Sequence, residues 1–172
     1  MTGRASPACS GSDDADAGGG APSHAAAIER LIGALTPSLD ALLTESEQEG
    51  LRFVRRLVDE WTAGTNRFDR PGEVLFAARV GDRLVGVCGL NVDPYAVQTE
   101  IGRVRRLYVL PAHRRLGVGR QLVEAVLETA RGRFRLLRLL TANPAAARLY
   151  ESLGFRREAG QPDCSHILEV KN

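Results

Sequence analysis

The stretch Arg105–Leu127, RRLYVLPAHRRLGVGRQLVEAVL, constrains the fold more than any other part of the chain. Leu107-Tyr108-Val109-Leu110 is a short apolar run, the pattern of a strand buried on both faces. Pro111 has no N–H to give and ends the ladder. Arg114-x-x-Gly117-x-Gly119 is a tight, glycine-punctuated turn that opens a helix. Val118, Leu122, Val123, Val126, Leu127 and Ala130 fall on its apolar face, with Arg120, Gln121, Glu124, Glu128 and Arg131 opposite. A strand, a Gly-rich turn and a helix N-terminus together form an anion site, because free N–H groups converge there and the helix dipole favours negative charge. Two phosphate-binding patterns fail on residues. A Walker loop needs Gly-Lys-Ser/Thr, and Gly119 is followed by Arg120 and Gln121. A dinucleotide fingerprint needs a third glycine where Leu122 stands.

The pattern that fits is Arg/Gln-x-x-Gly-x-Gly/Ala after a strand. It resembles the acyl-CoA pyrophosphate loop of the GNAT superfamily of N-acyltransferases. Thr141–Phe155, TANPAAARLYESLGF, resembles that family's N-x-x-A-x-x-x-Y-x-x-x-G-F helix. Two motifs in the family's order are far more specific than either alone, and an ordinary helix cap would explain one glycine but not the pair.

The length suits one domain with a sizeable core, read as residues 26–172. Residues 1–25 are mostly Gly, Ala, Ser and Asp and read as a disordered low-complexity tail, not a signal peptide. No run approaches a membrane span. Cys9, Cys88 and Cys164 are odd in number and widely spaced, so neither a disulfide framework nor a metal site is expected, and a cytoplasmic setting is the default. Net charge is +2, but residues 101–138 hold ten arginines against Glu124 and Glu128, +8 in all, leaving −6 for the rest. That places positive potential around the phosphate loop. Arg131, Arg133, Arg135 and Arg138 read as a solvated face.

In order along the chain, residues 27–32 read as an edge strand and 39–43 as a short helix. Ser46 to Glu49 has capping-box spacing ahead of a helix through Leu51, Val54, Leu57, Val58 and Trp61, ending at Ala63-Gly64. Residues 65–72 read as a loop. Strands at 74–80 and 84–90 meet at a Gly81-Asp82 hairpin turn. Gly86 and Gly89 mark a bulge or a close backbone approach. Residues 91–99 connect to a strand at 101–110. A strand at 134–141 follows the loop helix and should run parallel to 101–110. Asn143 as N-cap, Pro144 at N1 and Gly154 at C′ bound the next helix, and two strands close the chain. The fold class is α/β (α+β): a central mixed, mostly antiparallel twisted sheet flanked by helices. The resemblance adds a splay between strands 101–110 and 134–141.

The resemblance implies acetyl transfer from acetyl-CoA to a primary amine by direct attack in a ternary complex. Leu116, Gly117, Val118, Gly119 and Arg120 would present backbone donors to the pyrophosphate, with Arg114 and Arg115 adding charge. Leu107, Tyr108 and Val109 would hold the pantetheine arm, and an N–H of Val109 would polarise the thioester carbonyl. Asn143 would contact CoA, although its N-cap role explains it equally well. Tyr150 matches the family's general acid, since a phenol keeps its proton at neutral pH and can give it to a thiolate; amphipathic packing is the rival reading. For the base, Glu100 comes first, His166 second and Asp93 third. Asp93, Trp61 and Phe68 are candidates for the acceptor side, with Trp61 also readable as core. Cys88 and Cys164 read as packing residues, so no acyl-enzyme is expected. The rival functions are a CoA-binding sensor without catalysis and a basic module binding nucleic acid or a partner. Against the latter, aromatics are 5% of the chain and no helix carries a dense basic stripe. The acceptor is a small-molecule or peptide amine, and dimerisation through the last strands is analogy with the family.

Overall fold

A computed structural model describes residues 25–33, 35 and 39–171. The tail reading for 1–25 therefore lies outside the described residues, except at Ala25. Seven strands form one sheet. They are β1 (Ala27–Arg30), β2 (Val74–Val80), β3 (Arg83–Val92), β4 (Ile101–Val109), β5 (Leu136–Leu139), β6 (Arg156–Arg157) and β7 (His166–Glu169). Their order is β1-β2-β3-β4-β5-β7-β6, antiparallel throughout except for the parallel β4–β5 pair. The helices are α1 (Asp40–Gln48), α2 (Phe53–Ala63), α3 (Val118–Ala130) and α4 (Pro144–Ser152).

Neighbouring β3 residues look to opposite sides, as strand alternation requires. Gly86 faces Leu122 of α3, whereas Gly89 faces Phe68 in the α2–β2 loop. On the α3 side, Val118, Leu122, Val123, Val126 and Ala130 are buried, the face expected from their spacing. On the other side, Val54, Leu57 and Trp61 bury one face of α2, and Gly64 ends it in the left-handed conformation at φ 75. Asn143 caps α4 by accepting from the Ala145 and Ala146 N–H groups at 2.9 and 3.4 Å.

Three expectations are corrected. Ser46 does not cap a helix; it lies inside α1 and donates to the Leu43 carbonyl at 2.8 Å. Gly50, at φ 74, separates α1 from α2, so the capping-box spacing there is accidental. β3 runs on to Val92, because Asn91 and Val92 still pair with Arg103 and Gly102. Arg138 is not solvated: it is buried beside Asp93, with Nη1 3.2 Å from Oδ2.

Candidate active site

β4 and β5 pair only through Ile101–Arg103 and Leu136–Arg138. Beyond Arg103 they part, leaving the rest of β4 with β3 on one side and a gap on the other. The Leu110 N–H donates to the Val85 carbonyl at 2.9 Å, so Leu110 and Tyr108 turn their backbone toward β3. Alternation then turns the backbone of Leu107 and Val109 into the gap. Within this segment Val87 pairs with Tyr108 and Gly89 with Arg105, so Cys88 opposes both Arg106 and Leu107. This is a β-bulge, with Arg106 left-handed at φ 63.

The gap leads to the loop after β4. Gly117 is left-handed at φ 84, and the first helical hydrogen bond runs from the Gln121 N–H to the Gly117 carbonyl. The N–H groups of Val118, Gly119 and Arg120 thus have no helical acceptor. The loop arginines have different fates. Arg114 grips Glu49 at the end of α1, with Nη1–Oε2 at 2.8 Å and Nη2–Oε1 at 2.6 Å, and its Nε donates to the Val109 carbonyl at 2.9 Å. Tyr108 donates to the same carboxylate at 2.7 Å. The Arg114 guanidinium, and then the Tyr108 hydroxyl, hold Glu49 below the usual carboxylate range. Arg120 binds Ser152 Oγ at 2.8 Å and Glu124 at 3.3 Å. Arg115 is exposed and is a loop guanidinium without an ion pair among the described residues. The donor set therefore fits an anionic nucleotide tail: open N–H groups, a helix N-terminus and one uncommitted guanidinium.

Tyr150 interacts with Cys88 of β3, opposite the bulge. It is buried on α4, edge-on to Phe155 with centroids 5.5 Å apart. Burial, and then the neighbouring Cys88, push its phenol well above 10. Burial pushes the Cys88 thiol up to about 12. Cys88 is thus a protonated packing group opposite the bulge, and Tyr150 is a neutral phenol next to it.

On the α2 side of the bulge lies an open cleft of about 620 Å³, lined by Arg56, Glu60, Asn66, Asn91, Tyr95 and Arg105 among others. Arg106 reaches from the bulge to Glu60 and bonds both carboxylate oxygens through Nη2 at 3.0 and 2.9 Å. Burial draws the Glu60 carboxyl upward, but hydrogen bonds from Arg106 and Arg56 outweigh it and leave the group below its ordinary range. Neither Glu60 nor Glu49 stands out in the sequence, because their partners Arg106 and Arg114 are 46 and 65 residues away. The bulge does leave a trace: Arg105-Arg106 breaks the inside–outside alternation of a strand that is otherwise largely apolar.

The other candidates are scattered. Glu100 is exposed, bonded to Arg135 at 3.4 Å, and precedes the closed, paired end of β4. Nine residues of strand separate it from the phosphate loop, about 30 Å at the usual rise. His166 is buried, with Nδ1 2.9 Å from Ser165 Oγ and Nε2 3.4 Å from Glu151 Oε1. It lines a separate cleft of about 430 Å³ beside Asn143. Asp93 is enclosed by Arg103 and Arg138 and caps the Tyr95 N–H, so it serves the ion network rather than an acceptor. Trp61 is core, its indole donating to the Gly33 carbonyl at 3.1 Å. Phe68 is buried against Gly89, so neither ring lines the cleft.

Comparison with known proteins agrees with this geometry. The model of the acetyltransferase (GNAT) family matches residues 37–155. The chain is 36% identical over 132 residues to the N-alpha-acetyltransferase RimI of Mycobacterium tuberculosis, covering 73% of this chain and 78% of that protein. It is 42% identical over 67 residues to the aminoglycoside N(6')-acetyltransferase type 1 of Klebsiella aerogenes, covering 37% and 44%. Among solved structures, one described as an acetyltransferase from Exiguobacterium sp. 255-15 superposes with a TM-score of 0.74 at 27% identity, over 84% of this chain and 93% of that one. The yncA protein of Salmonella typhimurium, solved with its cofactor acetyl-CoA, shares the fold at a TM-score of 0.61 and 16% identity, over 86% and 95%.

Proposed function

The chain belongs to the acetyltransferase (GNAT) family, and on that footing we propose that it moves an acetyl group from acetyl-CoA to a primary amine by direct attack in a ternary complex. The observation that carries this reading is the gap between β4 and β5, which runs from the bulge to the glycine loop. The open N–H groups of Leu107 and Val109 would bond the pantetheine arm as a neighbouring strand would, and the Val109 N–H would polarise the thioester carbonyl. The N–H groups at the start of α3, with Arg115, would hold the pyrophosphate.

The two sides of the sheet divide the work. The amine enters through the open cleft on the α2 side, attacks as the free base and loses its surplus proton to water in that cleft. Tyr150, reaching the bulge from α4, gives its proton to the departing thiolate. Cys88 stays a thiol and forms no acyl-enzyme. Similarity to the N-alpha-acetyltransferase extends over most of the chain, whereas that to the aminoglycoside enzyme covers 37% of it. A peptide α-amine is therefore the acceptor class we favour.

Thermal melting with acetyl-CoA at a hundred times its dissociation constant should show about 2.7 kcal/mol of stabilisation; no shift refutes the reading. Tyr150→Phe should bind acetyl-CoA normally but release thiol about 100-fold more slowly with a peptide amine. An unchanged maximal rate from pH 6 to 9 removes Tyr150 as the acid.

A further inference from the structure

Arg105 differs from the arginines around it. Arg106 is held by Glu60, Arg103 by Asp93 and by the Asp163 carbonyl, and Arg56 by Glu60. Arg105 makes no side-chain hydrogen bond or ion pair among the described residues. It is half-buried, lines the cleft, and immediately precedes the bulge residue. Burial, and then the nearby Arg106, pull its guanidinium below its ordinary range, so it sits in a poorly solvated and already positive place. Glu60 opposes this pull but is itself shared with Arg106 and Arg56, so a half-buried guanidinium with no ion pair of its own is relieved by an arriving anion.

The acids of the cleft do not supply that anion. Glu60 is taken by Arg106 and Arg56. Glu73 is buried and accepts from the Val92 N–H at 3.0 Å. Asp69 is exposed at the rim. Arg67 and Arg70 add further positive charge to the same lining.

We propose that Arg105 determines acceptor specificity by binding a carboxylate on the amine substrate, so that the preferred acceptor carries a negative charge close to its reacting amine. This rests on the acetyl-transfer reading of the same cleft. A planar guanidinium with two free edges suits a carboxylate, bonded through two parallel N–H groups. A carboxylate held on Arg105 would orient the acceptor's amine toward the bulge. The lining carries four arginines against Glu60, Asp69 and Glu73, so a polycationic acceptor gains no net attraction here. The carboxylate has two chemical sources, an acidic side chain beside a peptide N-terminus or the α-carboxylate of a free amino acid.

The test uses the full chain with saturating acetyl-CoA and four acceptors: an Ala-Glu peptide amide, its Ala-Gln counterpart, alanine and alaninamide. The Glu peptide should exceed the Gln peptide in kcat/KM by about tenfold if the side chain is the source; alanine should exceed alaninamide by a like factor if the α-carboxylate is. Arg105→Gln should abolish that preference through KM, and Arg105→Lys should restore part of it. Calorimetric binding of the same acceptors to the CoA-bound protein reads the same preference without turnover. If acetyl-CoA binds but neither pair of acceptors differs in rate or binding, or if a difference survives Arg105→Gln, the proposal fails and acetyl transfer still stands. If acetyl-CoA itself does not bind, the reading beneath it falls as well.

Discussion

Replacing Glu60 by Gln removes the counter-charge of a cation that has little other support. The side chains of Arg106 and Glu60 are 8% and 18% exposed. Arg106 Nε is already enclosed with no partner, so Glu60 carries the burden of neutralising the group. Breaking a buried pair by removing one partner costs about 3–5 kcal/mol. The glutamine keeps one acceptor oxygen, and the second pair, to the largely exposed Arg56, adds less than about 1 kcal/mol. About 3 kcal/mol is therefore expected, which for a chain of this size lowers Tm by roughly 6–12 °C. The pH dependence has a definite sign. Glu60 titrates lower in the folded protein than in the unfolded chain, where about 4.3 is usual. Its contribution is complete above that unfolded value and is lost as pH falls through the folded one. Urea unfolding should show a constant gap between the two proteins from pH 8 to about 5.5 and a shrinking gap below about pH 4. Removing both charges, with Glu60→Gln and Arg106→Met, should recover at least about 1 kcal/mol. A gap under about 0.5 kcal/mol at pH 7, or one that widens on acidification, would refute the buried-pair reasoning.

Two further substitutions probe the site's frame. A methyl group on Gly89 would overlap the buried Phe68 ring, so Gly89→Ala should cost about 1–3 kcal/mol in thermal or urea unfolding. That penalty should vanish in a Phe68→Ala background, and strict additivity of the two would show that the contact is not its cause. Gly117, at φ 84, has open space where a side-chain methyl would stand, with nothing within 4 Å, so Gly117→Ala should cost about 1–2 kcal/mol through its backbone alone. Because that conformation aims the start of α3, acetyl-CoA affinity by calorimetry should fall about tenfold or more; unchanged affinity would remove the loop from the binding site.

Local features of this chain are legible without coordinates. The apolar faces of α2 and α3, the Asn143–Pro144 helix start, the Gly81-Asp82 turn and the glycine loop all depend on residues within a few positions of one another. The parallel β4–β5 pair and its splay follow from an intervening helix and the family resemblance. Where local signals compete, the pattern misleads: Ser46 has the spacing of a cap, but Gly50 sets the break.

The sequence by itself determined the order of elements, the glycine turn that opens α3 and the family, because these are written in periodicity and short motifs. Tertiary structure decided which charges are spent and which are free. Glu49 claims Arg114, Glu60 claims Arg106 and Asp93 claims Arg103 and Arg138, while Arg115 and Arg105 are left uncommitted among the described residues. Ion pairing acts over a few ångströms between residues 10 to 65 positions apart, and no local pattern in a chain with this many arginines encodes those choices.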